Sequence, residues 1–118
     1  MDCDDMIGDW NEGLLVDSAG EFSFDSPLNI FNDGELKGRF AGDHNAFKIT
    51  CQVIAGGSRL KVEFTRVHND GKTTTYKGTV VSFEPRASLG IIRGTFDRPN
   101  RADEGLAANG DWETEKPT

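Results

Sequence analysis

This 118-residue sequence predicts an all-β fold, a single antiparallel up-and-down β-barrel of about eight strands. Three observations carry that reading. Apolar and charged residues alternate with period two in several short runs, and Gly, Asn, Asp and Ser separate those runs. No stretch keeps helical periodicity beyond a turn or two. Side chains on a strand point alternately to opposite faces, so each run has one dry face and one wet one.

The strands follow in order. Ile7 to Val16 opens the chain, and Glu21 to Phe24 or a little beyond comes next. Gly34–Phe40 is the clearest run, with Leu36, Gly38 and Phe40 inward and Glu35, Lys37 and Arg39 outward. Phe47–Val53 puts Cys51 on the apolar face, and Arg59–Phe64 turns Leu60, Val62 and Phe64 inward. Tyr76–Val80, Ile92–Phe96 and Gly110–Thr114 complete the set. Asn32-Asp33-Gly34, Ala55-Gly56-Gly57-Ser58 and Asn69-Asp70-Gly71-Lys72 supply turn residues that tolerate positive φ.

The connections are short, so sequential strands are expected to pair as hairpins. A meander with one apolar face removes both of its edges by closing on itself. Inward glycines at positions 8, 38, 78, 94 and 110 fit the coiling that closure needs. A two-sheet sandwich is the architectural alternative. The longest connection, Asp97 to about Asn109, is polar and reads either as a lid over one barrel mouth or as a plain surface loop.

Composition narrows the function classes. Size fits one domain over 1–118, with residues 1–5 as a frayed acidic terminus. A net charge of −7, with its Lys and Arg scattered along strands, disfavours nucleic acid and anionic membranes as partners. The mean hydropathy is −0.52. No apolar run approaches the roughly 20 residues that cross a bilayer. Without a basic and apolar leader in Met1–Met6, the expected location is cytoplasmic. Cys3 and Cys51 accordingly read as two free thiols, with a bridge as the alternative. His44 and His68 belong to no metal-spacing pattern, and no triad or carboxylate pair stands out. No catalytic residue, metal or cofactor is expected.

The ordered segments resemble the avidin and streptavidin family within the calycins, the group that includes lipocalins. Gly8-Asp9-Trp10 is similar to the Gly-x-Trp opening of calycin first strands, and Gly34–Phe40 to the family's third strand. Thr73–Gly78, Gly94-Thr95-Phe96 and Asp111-Trp112 resemble its sixth, seventh and last strands. The resemblance implies a barrel with a ligand site in its lumen. It also implies a closing basic residue near the first-strand Trp, for which Lys116 is the candidate. Biotin is not the expected ligand. Phe40 and Phe96 stand where the family carries Tyr and Trp, and unpaired polar groups in a buried site lose several kcal/mol of binding.

The candidate lumen site is Trp10, Glu12, Phe40, Phe64, Arg66, Tyr76, Phe96 and Trp112, with Phe22 and Phe24 also on the inward face. Arg66 is in phase with Leu60, Val62 and Phe64, and a buried charge needs a partner, so a Glu12–Arg66 pair is expected. The leading functional reading is a non-enzymatic binder of a small, partly apolar molecule. The alternative is a homo-oligomeric interaction module with a side-chain-filled interior, in which Val67, Val81 and Phe83 point outward. An isomerase-type enzyme using Glu12 and Tyr76 is the third.

Overall fold

Eleven strand segments and one short 3-10 turn make up the computed structural model, which describes residues 2–54, 56, 59–81, 90–99 and 108–117. Among the described residues there is no α-helix, and no helix long and apolar enough to cross a membrane. The strands are β1 (Gly8–Trp10), β2 (Gly13–Asp17), β3 (Phe22–Asp25), β4 (Leu28–Asn32), β5 (Leu36–Phe40) and β6 (Phe47–Lys48). They continue with β7 (Thr50–Ile54), β8 (Arg59–Val67), β9 (Thr73–Val81), β10 (Gly90–Asp97) and β11 (Asn109–Lys116).

The segments form two antiparallel sheets. One runs β1-β4-β5-β6, and the other runs β3-β2-β11-β10-β9-β8-β7. The all-β class is therefore as expected. The ladders, however, run in two separate sheets rather than continuously around one wall.

Two of the expected strands are broken, a third corner leads from β3 into β4, a strand not expected from the sequence, and each of the three carries the chain from one sheet to the other. The corners lie at Asn11-Glu12, Ser26-Pro27 and Ile49. Strands that switch sheets at such bends make the corners of orthogonally packed sheets. Pro27 suits a corner because it has no backbone donor to leave unpaired.

A break also resets which face each residue occupies, because a one-residue slip moves a whole strand's side chains to the opposite face. Trp10 is buried at an even position, yet Gly13, Leu15 and Asp17 are buried at odd ones. Three inward expectations are corrected for this reason. Glu12 is exposed, and Phe22 and Phe24 lie on the outer surface, 65% and 56% exposed.

The core lies between the sheets. β8 alternates exposed and buried from end to end, with Leu60, Val62, Phe64 and Arg66 inward. Register sets the core in layers. Leu60 faces Val80, Val62 faces Gly78, and Phe64 faces Tyr76. Ile92 pairs with Val80 and Phe96 with Tyr76, while Trp112 pairs with Gly94 on the far side of β10. At Gly38 a Cβ would sit 2.6 Å from the Phe47 ring, so only glycine lets that ring enter the core.

One end of the core is capped by the 3-10 turn Cys3–Met6. Asp2 caps it by accepting from the Asp4 and Asp5 amides, and Asp5 accepts from the Asp2 amide in return. Residues 2–6 thus make a capped turn. Met6 plugs the core, and Cys3 forms a disulfide with Cys51 on β7. The expectation of two free thiols is corrected: packing of the turn against β7 brings together cysteines 48 residues apart. Val67 is exposed as expected, Val81 is half-buried, and Phe83 lies outside the described residues, as do 100–107 of the candidate lid.

Candidate functional site

Opposite the cap, β5, β8, β9 and β11 bring five of the expected site residues together. Phe64 stacks on Phe47 at a centroid distance of 4.6 Å and on Tyr76 at 4.9 Å. Trp112 meets Tyr76 edge-on at 4.9 Å, and Phe40 leans on Tyr76 at 5.6 Å. Arg66 closes the group, its guanidinium 4.4 Å from the centre of the Phe40 ring. Offset and edge-on rings of this kind add about 0.5–1.5 kcal/mol per pair beyond the area they bury.

The remaining candidates lie elsewhere. Trp10 is buried at the capped end, where its indole donates to the Met6 carbonyl at 2.9 Å. Phe96 pairs with Tyr76 across the β9–β10 ladder but lies at the border of the group, buried against Gly110. Glu12 stands exposed before β2 and takes no part.

Arg66 therefore has other partners than the one expected. Its Nε and Nη2 donate to the two carboxylate oxygens of Asp43 at 2.8 and 2.9 Å, and Nη1 donates to Asp25 Oδ1 at 3.0 Å. Tyr76 donates its hydroxyl to the other Asp25 oxygen. Asp25 ends β3, where the parity reset turns it inward, and Asp43 lies in the loop after β5. The in-phase arginine is the sequence signal that calls for them, since a buried guanidinium demands carboxylates.

The electrostatics follow from burial and from these bonds. Burial pushes the Asp25 carboxyl above its usual range, against the opposing pull of Tyr76 and Arg66. Burial, then the Asp25 charge and hydrogen bond, push the Tyr76 hydroxyl far above its ordinary value, so the proton stays on the phenol. Burial works against the Arg66 charge, but the hydrogen bond to Asp43 and the Asp25 charge outweigh it and hold its pKa above the ordinary one. Arg98 adds a second positive charge facing Asp25. Chemically this is a clamp whose ionised and hydrogen-bonding groups are already committed to one another.

Little room remains beside it. A crevice of about 210 Å³ lined by Asn11, Leu15, Asp25, Phe40, Trp112 and Thr114 is nowhere wide enough to seat a water molecule. Among the described residues no cluster of His, Cys, Asp and Glu is arranged to hold a metal ion. No family model, curated protein or solved structure matches this chain.

Chemistry-bearing groups on the outer surface are arranged differently. Leu14 and Val16 of β2 pair across the ladder with Phe24 and Phe22 of β3. The two phenylalanines meet edge-on at 5.8 Å, and β3 ends the larger sheet. The next strand, β11, sets Glu113 beside Leu14 and Asp111 beside Val16.

Proposed function

We propose that this chain is a calycin-like barrel whose interior is structural and whose outer face binds other molecules. The observation that carries the reading is a contrast. Five rings and an ion cluster fill the space where a ligand would sit, while two phenylalanines stand exposed at a sheet edge. Exposed large apolar groups gathered in one patch mark interaction sites more often than scattered ones do.

Treating the two sheets as one barrel wall has its own support. At each corner two consecutive strands, β1 and β2, β3 and β4, or β6 and β7, lie one in each sheet; counted as single bent strands they pair in chain order, and β11 returns to pair with β2. The calycin comparison is supported at the capped end. Lys116 of the last strand is buried across Gly8 and donates to the carbonyls of Asp5 and Ile7, which flank the Met6 carbonyl that accepts from the Trp10 indole. The Cys3–Cys51 bridge favours an oxidising compartment over the cytoplasmic location read from the sequence.

The test is a fragment screen by two-dimensional NMR, using small aromatic and aliphatic acids and amines. Perturbations are expected at Leu14, Val16, Phe22 and Phe24. A fragment that shifts the Trp112 indole and the Phe64 ring, with contacts to both, would restore lumen binding and overturn the proposal.

A further inference from the structure

We infer that the free edge of β3 docks an extended, basic segment of a partner protein, added as one more antiparallel strand. This inference rests on the outer-face reading above and names the partner's chemistry. Three features of the β2–β3 hairpin lead to it.

The first is the edge itself. Among the described residues β3 pairs only with β2 in the larger sheet, so its other side presents backbone N–H and C=O groups that no described strand takes up. Edge strands of this kind template pairing with another chain, and backbone bonds then supply affinity while alternate side chains supply specificity. The second is apolar alternation. Phe22 and Phe24 project outward from that edge strand, and Leu14 and Val16 continue the apolar strip onto β2. An incoming strand with apolar residues at every second position would lay them beside the two rings.

The third feature is charge. Glu12 stands at the start of β2 and Glu21 at the start of β3, so the two carboxylates bracket opposite ends of the hairpin. Asp111 lies alongside Val16 on the same face. None of these three has a hydrogen-bonded or ionic side-chain partner among the described residues, whereas the neighbouring Glu113 is already held by Arg93 at 2.9 Å. A segment with Lys or Arg at both ends would neutralise carboxylates that have no cation of their own. The same borders disfavour a second copy of this chain. Antiparallel pairing of β3 with its own copy would bring like charges together on molecules that each carry a net −7.

The experiment uses a fluorescein-labelled synthetic peptide, Lys-Val-Thr-Val-Arg-Val-Lys, and the matched peptide in which Lys and Arg are replaced by Glu. Anisotropy titration and amide hydrogen exchange are measured on the whole protein. Expected are saturable binding of the basic peptide and slowed exchange at residues 22–25. The acidic peptide, and the F22S/F24S variant with the basic peptide, are each expected to bind at least about tenfold more weakly. Both phenylalanines are exposed, so the double variant leaves the core intact, and an unchanged near-ultraviolet spectrum checks this. No binding of the basic peptide, or equal binding of the acidic one, overturns the inference while fragment contacts at Phe22 and Phe24 leave the outer-face reading standing. A concentration-dependent dimer in sedimentation, abolished by F22S/F24S, also overturns it and assigns the edge to a second copy.

Discussion

Replacing Arg66 with Met keeps most of the side chain's bulk and removes its charge and all three hydrogen bonds to Asp43 and Asp25. The side chains of both acids are largely buried, 5% exposed for Asp43 and 13% for Asp25. Removing one partner of such a cluster strands the others as uncompensated charges, a loss of about 3–5 kcal/mol. For a chain of 118 residues the unfolding entropy near 60 °C is roughly 0.25 kcal/mol/K, so the melting temperature should fall by about 12–20 °C. The pH dependence separates this cause from lost packing. Arg66 holds the Asp25 pKa down against burial, so its removal lets that pKa rise further. A carboxyl whose folded pKa exceeds its unfolded value contributes stability at low pH that is lost as pH rises through the folded pKa. The penalty of R66M should therefore shrink on acidification from neutrality towards the ordinary carboxyl range. Urea unfolding of both proteins at a series of pH values reads this directly. A loss below about 1 kcal/mol, or one that stays constant with pH, would refute the description of the cluster as a desolvated ion network.

Three other measurements bear on the fold. Reducing Cys3–Cys51, or changing Cys3 to Ser, opens a loop of 48 residues and should cost about 4 kcal/mol in urea unfolding, and thiol titration of the native protein should find no free cysteine. Tyr76 is the chain's single tyrosine, so absorbance of the phenolate reports it alone. Since its folded pKa is raised, the native protein should show no phenolate where a free tyrosine is half-ionised, near pH 10. Stability should fall as pH rises above that point, and phenolate appearing while the fold is intact would contradict the buried hydrogen bond to Asp25. Gly38→Ala would drive a methyl into the Phe47 ring and should destabilise by about 1–3 kcal/mol, whereas a neutral result would mean that the ring is free to move.

Much of the architecture was legible because alternation is a local signal. β5, β8, β9 and β10 lie within or around the runs where period-two patterning put them, and Leu60, Val62, Phe64 and Tyr76 are buried as that patterning requires. What was not legible sits at the corners. Asn11-Glu12 and Ser26-Pro27 each reset strand parity, and continuing the pattern across them turned Glu12, Phe22 and Phe24 to the wrong face. The same resets hid Asp25, which alternation from Phe22 and Phe24 assigned outward. Asp43 comes from a loop, where spacing carries no information about direction. The disulfide was equally out of reach, because nothing in the neighbourhoods of Cys3 and Cys51 indicates that the opening turn docks against β7. Arg66 was the exception, a polar residue whose inward phase was correct and whose need for counter-charge was legible before its partners were.

The capped end has a further consequence for handling the molecule. Lys116, close to the last described residue, reaches the carbonyls of Asp5 and Ile7, so the two described ends of the chain meet on one side of the fold. A short flexible linker could join them, and new ends could be opened at Gly34, whose turn is exposed and tied to its surroundings only by the surface ion pairs of Asp33 with Lys37 and Glu35 with Lys37 and Lys48 among the described residues. Such a circular permutant would retain every ladder, and it would move any attached tag or fluorophore away from the plugged end of the core.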